Sequence, residues 1–129
     1  MPKERLRPPG VMRTVGPWEQ AVKVGNLLFV SGQTPMTADG KLVGKGDAAA
    51  QTRQVMENIK TVLEFGGAKL SDIVKITVFV TNIRDLSAIM KVREEYLAPD
   101  YPASTAAEVT ALANPDWLVE IEAIAVLED

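Results

Sequence analysis

The stretch WLVEIEAIAVLE, residues 117–128, decides the fold because its two faces differ in chemistry. Strand alternation places five apolar residues on one side of the strand: Val119, Ile121, Ala123, Ala125 and Leu127. The opposite side combines aliphatic side chains with Glu120 and Glu122. A face that mixes aliphatic and carboxylate groups is either the open surface of a monomer's sheet or an oligomer surface around a site.

Three other segments read as β-structure. VKITVFVT, residues 74–81, alternates as a strand with one buried face. QAVKVGNLLFVSGQ, residues 20–33, contains two β-rich runs around Gly25-Asn26, which predicts a hairpin over about 19–24 and 27–33. A further strand is expected over ASTAAEVTAL, residues 103–112, and an Asn-Pro turn separates it from the last strand.

Two helices complete the predicted order β-β-(β)-α-β-α-β-β, in which the strand in parentheses is at most a short one in the loop TADGKLVGKG, residues 37–46. The first covers about 48–65, between an Asp47 N-cap and Gly66-Gly67, and the second begins near Asp85. This order predicts one α+β domain over residues 1–129, with both helices on one face of a mixed sheet. The basic residues at the start of the chain predict a flexible arm over about 1–14.

Composition excludes several kinds of chemistry. The 129 residues contain no cysteine and no histidine, so Ser-His-Asp and Cys-His catalysis and cysteine-ligated metals are excluded. We therefore expect no metal or other cofactor. The net charge of −3 does not favour nucleic acid as a partner. No run of about 20 apolar residues is present, and a cytoplasmic protein without membrane contacts is expected.

Candidate site residues come from two strand segments and one loop. Glu120 and Glu122 lie roughly 7 Å apart on one strand face. If this face is buried, burial and like-charge repulsion would raise the pKa of one glutamate and give a carboxyl able to activate water. If the face is exposed to solvent, the two glutamates are an ordinary solvated pair. Ser31 and Gly32, a small hydroxyl residue and a glycine at the end of a strand, form either an oxyanion-type pocket or a simple β-bulge. Trp18 either forms an aromatic wall of a binding pocket or packs in the core or at an interface.

Three segments resemble the reactive intermediate deaminase family, also called RidA or YjgF: VGPWEQAVKVGNLLFVSGQTP (15–35), DIVKITVFVTNIRDL (72–86) and EIEAIAVL (120–127). The resemblance implies a chorismate-mutase-like α+β fold in a homotrimer, with the sheets packed as a central barrel and three sites at subunit clefts. It also implies hydrolysis of enamines or imines to 2-keto acids and ammonia. In that scheme Glu120 positions the water, Ser31 and Gly32 hold the substrate, and Trp18 stands where the family usually has tyrosine.

Two departures from the family pattern predict a different substrate. Ser104, followed by Thr105, stands where relatives have a carboxylate-binding arginine, and Met90 stands where an asparagine is often found. Arg93, one helical turn after Met90, either restores a cation to the site or is an ordinary surface residue. A larger or aromatic-derived substrate is expected, because apolar groups replace polar ones.

Two classes of function remain open on the sequence. The first is a trimeric hydrolase or deaminase that acts on an enamine, imine or related unsaturated amino compound, with 2-aminomuconate-type compounds as family precedents. The second is a trimer that binds a small metabolite or a partner without chemistry. Ribonuclease action is less consistent with the chain, since histidine and a basic excess are both lacking.

Overall fold

A computed structural model describes residues 1–128. Six strands and two helices make up the fold, with short 3-10 turns at Leu70–Asp72 and Ile83–Asp85. In chain order the elements are β1 Lys3–Leu6, β2 Ala21–Val24, β3 Leu27–Gln33, α1 Ala48–Phe65, β4 Ile73–Val80, α2 Leu86–Leu97, β5 Ala103–Glu108 and β6 Val119–Val126. The predicted mixed α+β class is confirmed.

All six strands form one sheet in the order β1-β2-β3-β6-β4-β5. Only β4 and β5 run parallel, and α2 connects them. The last strand, β6, lies in the interior of the sheet between β3 and β4, so β5 and β6 are not neighbours. β5 ends at Glu108, earlier than expected, because Glu108 pairs with Val80, the last residue of its partner strand.

The core lies between the sheet and the two helices, which cover one face as predicted. Helix α1 has the predicted bounds, and the Oδ1 atom of Asp47 accepts a hydrogen bond of 3.0 Å from the backbone N–H of Ala50. The expected apolar face of β6 is buried, with Val119, Ile121 and Ala125 each at 0% exposure. Burial of such a face is the main stabilising contribution in a domain of this size.

One residue of β4 departs from the predicted alternation. Ile76, Val78 and Val80 are buried as expected, but Val74 is 45% exposed. The pairing with β6 shifts by one residue between Ile73 and Lys75, which is a β-bulge. The bulge breaks the two-residue period at this point, and Ile73 takes the buried place instead.

Part of the segment expected as a flexible arm, residues 1–14, forms a strand in the structure. β1 pairs with β2 in an antiparallel register, from Lys3 with Val24 to Leu6 with Ala21. Leu6 and Val11 belong to the core, at 5% and 3% exposure. Isolated apolar residues of this kind give no periodic signal, so the sequence pattern did not identify this strand.

The second face of the sheet carries large apolar side chains that no helix covers. Leu27 and Phe29 of β3 are 36% and 42% exposed, and Ile124 of β6 pairs with Phe29. An exposed apolar patch of this kind is typical of an interaction surface. Within residues 1–128, no helix is long and apolar enough to cross a membrane.

Gln51 of α1 fixes the loop that leads into β6. Its side chain is fully buried and donates hydrogen bonds of 3.1 and 3.0 Å to the backbone oxygens of Gly44 and Asp116. Its amide oxygen accepts a 2.7 Å hydrogen bond from the N–H of Leu118. One side chain thus satisfies three backbone groups from two loops.

We predict that Gln51→Met destabilises the protein by about 2–4 kcal/mol, because it leaves these three backbone groups without partners. Urea unfolding followed by circular dichroism measures the effect. Gln54→Met is the matched control, since Gln54 lies on the same helix and, within residues 1–128, its amide donates to a side chain, that of Asn58, and to no backbone group. Equal stability of the two variants would contradict the proposed role of Gln51.

Candidate functional site

The site begins at a β-bulge near the end of β3. Val30 pairs with Ala123 and Gln33 with Ile121, so β3 holds one more residue than β6 between these two pairs. The extra residue lies within Ser31-Gly32. Bulges at such positions often re-aim side chains next to active sites.

Gly32 allows the carboxyl group of Glu120 to lie directly against the backbone of β3. A Cβ atom placed on Gly32 would overlap Oε2 of Glu120, and it would lie 2.9 Å from Cδ and 3.0 Å from Cγ. Only glycine leaves room for the Glu120 side chain in this position. The structure thus brings together Gly32 and Glu120, which are 88 residues apart in the sequence.

Glu120 is half-buried, and its environment disfavours the charged form. Burial raises the pKa of the Glu120 carboxyl above its ordinary value, and the nearby charge of Glu122 raises it further. Within residues 1–128, no salt bridge or side-chain hydrogen bond to Glu120 is present. A carboxylate whose pKa is raised is a stronger base than an ordinary one, which suits it to accept a proton from an attacking water.

Glu120 lines a cavity of about 470 Å³ between β3, β6 and the loop before β2. Three other candidate residues, Trp18, Ser31 and Gly32, line the same cavity. The structure therefore places four of the eight predicted site residues at one location. The remaining wall residues are Met12, Val15, Gln20, Gln33, Thr34, Met36, Asn58, Ala113 and Trp117.

The hydroxyl group of Ser31 has a fixed orientation. Its Oγ donates a 2.5 Å hydrogen bond to the carbonyl oxygen of Glu19, and the Ser31 N–H donates to the carbonyl oxygen of Gln20. A hydroxyl has one proton to donate, so Ser31 Oγ can act only as an acceptor toward a molecule in the cavity. Gln33 supports this arrangement by donating to the side chain of Gln20 at 2.7 Å.

Two indole rings form apolar walls of the cavity. Trp18 was predicted and is 44% exposed. Trp117 was not predicted; its Nε1 is buried without a hydrogen-bond partner in the described part of the chain. Its position three residues before Glu120 is visible in the sequence, but its direction depends on Gln51, which bonds the backbone on both sides of it.

The other four candidate residues lie away from this cavity, on β5 and α2. Ser104 pairs in register with Ile76, on the helix-covered side of the sheet, and Thr105 lies on the opposite side. β4 separates β5 from β6, so these residues are about 10 Å from β6 across the sheet alone. Met90 and Arg93 lie one turn apart on α2.

Arg93 is a half-buried cation without an acidic partner among residues 1–128. Its Nη1 donates a 2.9 Å hydrogen bond to Oγ of Ser104, and burial lowers the pKa of its guanidinium. By contrast, Arg7 pairs with Glu19 at 2.7 Å and Arg53 with Glu95 at 2.6 Å. A half-buried guanidinium that bonds only a neutral hydroxyl retains donors for an anion.

Comparison with known proteins establishes the family. The family model described as Endoribonuclease L-PSP matches residues 10–127, nearly the whole chain. The chain belongs to the RidA/YjgF family. The resemblance found in the three sequence segments is thereby confirmed.

Several relatives span the full length of the chain. A RutC family protein of Pyrococcus abyssi is 42% identical over 99% of this chain and 100% of its own length. The 3-aminoacrylate deaminase RutC of Acinetobacter baylyi is 38% identical, with 97% and 98% covered. A 2-iminobutanoate/2-iminopropanoate deaminase of Dermatophagoides farinae is 36% identical, with 98% of each chain covered.

Solved structures of the family share the fold. The crystal structure of a putative endoribonuclease from Thermotoga maritima superposes with a TM-score of 0.92 at 38% identity, and 98% of each chain is covered. The RidA/YjgF fold with its two helices on one sheet face is therefore established for this chain.

The raised pKa of Glu120 predicts a pH-dependent cost to stability. A carboxyl whose pKa is higher in the folded than in the unfolded chain stabilises the fold most below its unfolded pKa of about 4.3, and that contribution is lost as pH rises through the folded pKa. We therefore expect Glu120→Gln to raise the melting temperature at pH 7, with the gain shrinking toward pH 4.

Calorimetric melting temperatures between pH 4 and pH 8 provide the measurement. Glu64→Gln is the matched control, since Glu64 is an exposed carboxylate of α1 outside the cavity. A Glu120→Gln variant that tracks this control at every pH would show that the folded protein does not disfavour ionised Glu120.

Proposed function

We propose that the protein is a hydrolase of carbon–nitrogen bonds, a deaminase that converts an enamine or imine of an unsaturated amino compound into a carbonyl compound and ammonia. The observation that carries this proposal is the Glu120 carboxyl, which lies half-buried against Gly32 in a cavity with apolar walls. The deaminase names of two full-length relatives support the same reaction class.

The proposed reaction needs one base and one water. Protonation of an enamine at carbon, or of an imine at nitrogen, gives the iminium ion. The water oxygen attacks the C=N carbon while Glu120 accepts one proton from that water, which gives a neutral carbinolamine. Glu120 then returns this proton to the nitrogen, and the C–N bond breaks as the hydroxyl group loses its proton to solvent, which releases ammonia, leaves the carbonyl group and restores the Glu120 carboxylate. The Ser31 hydroxyl, which can only accept, suits an N–H group of the substrate.

We further propose a homotrimer in which a neighbouring copy completes each site. Met90, Arg93, Ser104 and Thr105 are distant from Glu120 within one chain, so they can act on the same substrate only across a subunit boundary. The exposed apolar residues Leu27 and Phe29 and the unpaired outer edge of β5 support such an assembly.

Arg93 is proposed to contact the substrate carboxylate in this assembly. The family resemblance implies a carboxylate-binding arginine at the position of Ser104, and the guanidinium of Arg93 bonds to the Ser104 hydroxyl and so lies beside that position. The cation would thus come from α2 instead of β5. A cation supplied by a different element would hold the carboxylate in a different position, which favours a substrate unlike the small 2-imino acids.

The first test compares two carboxylates of one strand. Glu120→Gln should lower kcat/KM for ammonia release from an enzymatically generated imine by about 10²–10⁴-fold, because the proton acceptor is lost. Glu122→Gln is the matched control and should retain most of the activity, since Glu122 does not line the cavity and acts on Glu120 only through its charge. A wild-type protein that binds imines or their keto acids without any turnover would overturn the proposed hydrolysis and support a binding protein.

Gly32→Ala provides a second variant that keeps the carboxylate but moves it. The added methyl group displaces the Glu120 side chain from its position, so the activity should fall while the melting temperature changes little. In a Glu120→Ala background the same substitution should have no further effect on activity, because the displaced group is already absent. Independent losses would contradict the proposed coupling.

The role of Arg93 predicts a charge-specific loss. Arg93→Gln should lower kcat/KM for carboxylate-bearing substrates by about 10- to 100-fold, because a desolvated ion pair is lost. Lys91→Gln, an exposed charge on the same helix, is the control. Adding Ser104→Arg to the Arg93→Gln variant should restore part of the activity, and failure of both the loss and the rescue would exclude Arg93 from the site.

A further inference from the structure

Trp117 carries the one side-chain polar atom within residues 1–128 that is buried without a hydrogen-bond partner, its indole Nε1. Such atoms are rare in folded proteins, and a buried tryptophan N–H usually finds an acceptor. The hydrolysis steps that involve Glu120 do not use this N–H. An unpaired donor next to a reactive carboxyl group points to a partner that arrives with the ligand.

The indole ring of Trp117 lines the same cavity as Glu120. The backbone on both sides of Trp117 is fixed by Gln51, which bonds the carbonyl oxygen of Asp116 at 3.0 Å and the N–H of Leu118 at 2.7 Å. The side chain keeps two torsions of its own. Rotation about these torsions turns Nε1 toward the cavity that the ring already lines, without any movement of the backbone.

Three other side chains of the cavity wall have used all their protons. Asn58 Nδ2 donates to two backbone oxygens of the loop after β3, at 2.9 Å each. Gln33 Nε2 donates to Gln20 Oε1 and to the carbonyl oxygen of Ser31, at 2.7 and 3.1 Å. The Ser31 hydroxyl has also donated its only proton. Trp117 therefore supplies an uncommitted donor to a wall in which these groups can no longer donate.

The proposed reaction creates a need for a donor at the oxygen that comes from water. The carbinolamine hydroxyl loses its proton as the C–N bond breaks, so negative charge develops on this oxygen. Glu120 exchanges its proton with the water and the nitrogen, and the Ser31 hydroxyl can only accept. A hydrogen-bond donor at the atom where charge develops stabilises the transition state, most strongly where bulk water is excluded.

We propose that Trp117 Nε1 donates a hydrogen bond to the carbinolamine oxygen and, after cleavage, to the carbonyl oxygen of the product. This inference rests on the proposed function and adds a catalytic residue to it. The new bond removes the free-energy cost of the unpaired N–H, so ligand binding favours rotation of the ring. In the free protein the unpaired donor is a cost to stability that is retained for catalysis.

NMR of the indole N–H groups tests this contact without turnover. The chain contains two tryptophans, so Trp18→Phe assigns the signal of Trp117 in isotope-labelled protein. The probe 4-methyl-2-oxopentanoate carries a keto oxygen, and 4-methyl-2-methylidenepentanoate has a CH₂ group in its place. The keto acid should move the Trp117 proton signal downfield, and the methylidene compound should not. A signal that stays in place with the keto acid, or that moves equally with both compounds, would overturn the proposal.

Kinetics test the catalytic role. Trp117→Phe keeps an aromatic ring without the donor, so kcat for ammonia release should fall about 10- to 100-fold while KM changes little. Trp117→His restores a ring N–H and should recover part of kcat at pH 8, where the imidazole is neutral. Both variants lose ring volume, so a role in packing alone would lower the melting temperature and the activity of both alike. That outcome, or a Trp117→Phe variant as active as wild type, would contradict the proposal.

Hydrolysis assays of wild-type protein keep this inference distinct from the proposed function. If the keto acid moves the Trp117 signal selectively but no enamine or imine releases ammonia, the N–H is supported as a ligand contact and the proposed hydrolysis fails. If wild-type protein hydrolyses imines and Trp117→Phe does so equally well, the proposed function stands and the role of Trp117 is rejected.

Discussion

The position of β6 between β3 and β4 is the constraint on which the rest of the structure depends. One face of this strand is sealed against the helices, where Val119 and Ile121 have no exposed surface, so the strand cannot rotate or slip without exposing the core. Glu120 lies between these two residues and must point to the other face. The free energy that holds the carboxyl beside Gly32 therefore comes from the hydrophobic core, and this explains how a charged group stays in a position that disfavours its charge.

Much of the fold and part of the site could be predicted from local patterns. The 18 residues of α1 and the faces of β6 follow from periodicity and capping, and Glu120 follows from the same alternation. β1, the bulge that exposes Val74, and the orientation of Trp117 could not be predicted. Each of these depends on a partner distant in sequence: β2 for β1, β6 for the bulge, and Gln51 for the loop that carries Trp117. Local patterns contain no information about such pairings.

Family membership leaves the reaction open, because the names attached to the family differ. The family model is described as an endoribonuclease, while two full-length relatives are named as deaminases. The residues distinguish these possibilities better than the names do. No histidine exists in the chain, so the usual imidazole acid and base for RNA cleavage are absent, whereas a desolvated carboxyl in an apolar cavity suits attack by water on a small electrophile.

The parallel pairing of β5 with β4 has a consequence for how this family can vary. A tight turn does not set the register of β5; the length of α2 and its flanking loops sets it, because they form the crossover between the two strands. Deletion of one residue in that crossover could slide β5 back by one position. Ser104 would then move to the open face of the sheet, and Thr105 would come to lie beside Arg93 on the helix-covered face. Changes of loop length, without any substitution at the site, could therefore exchange which side chain reaches a ligand.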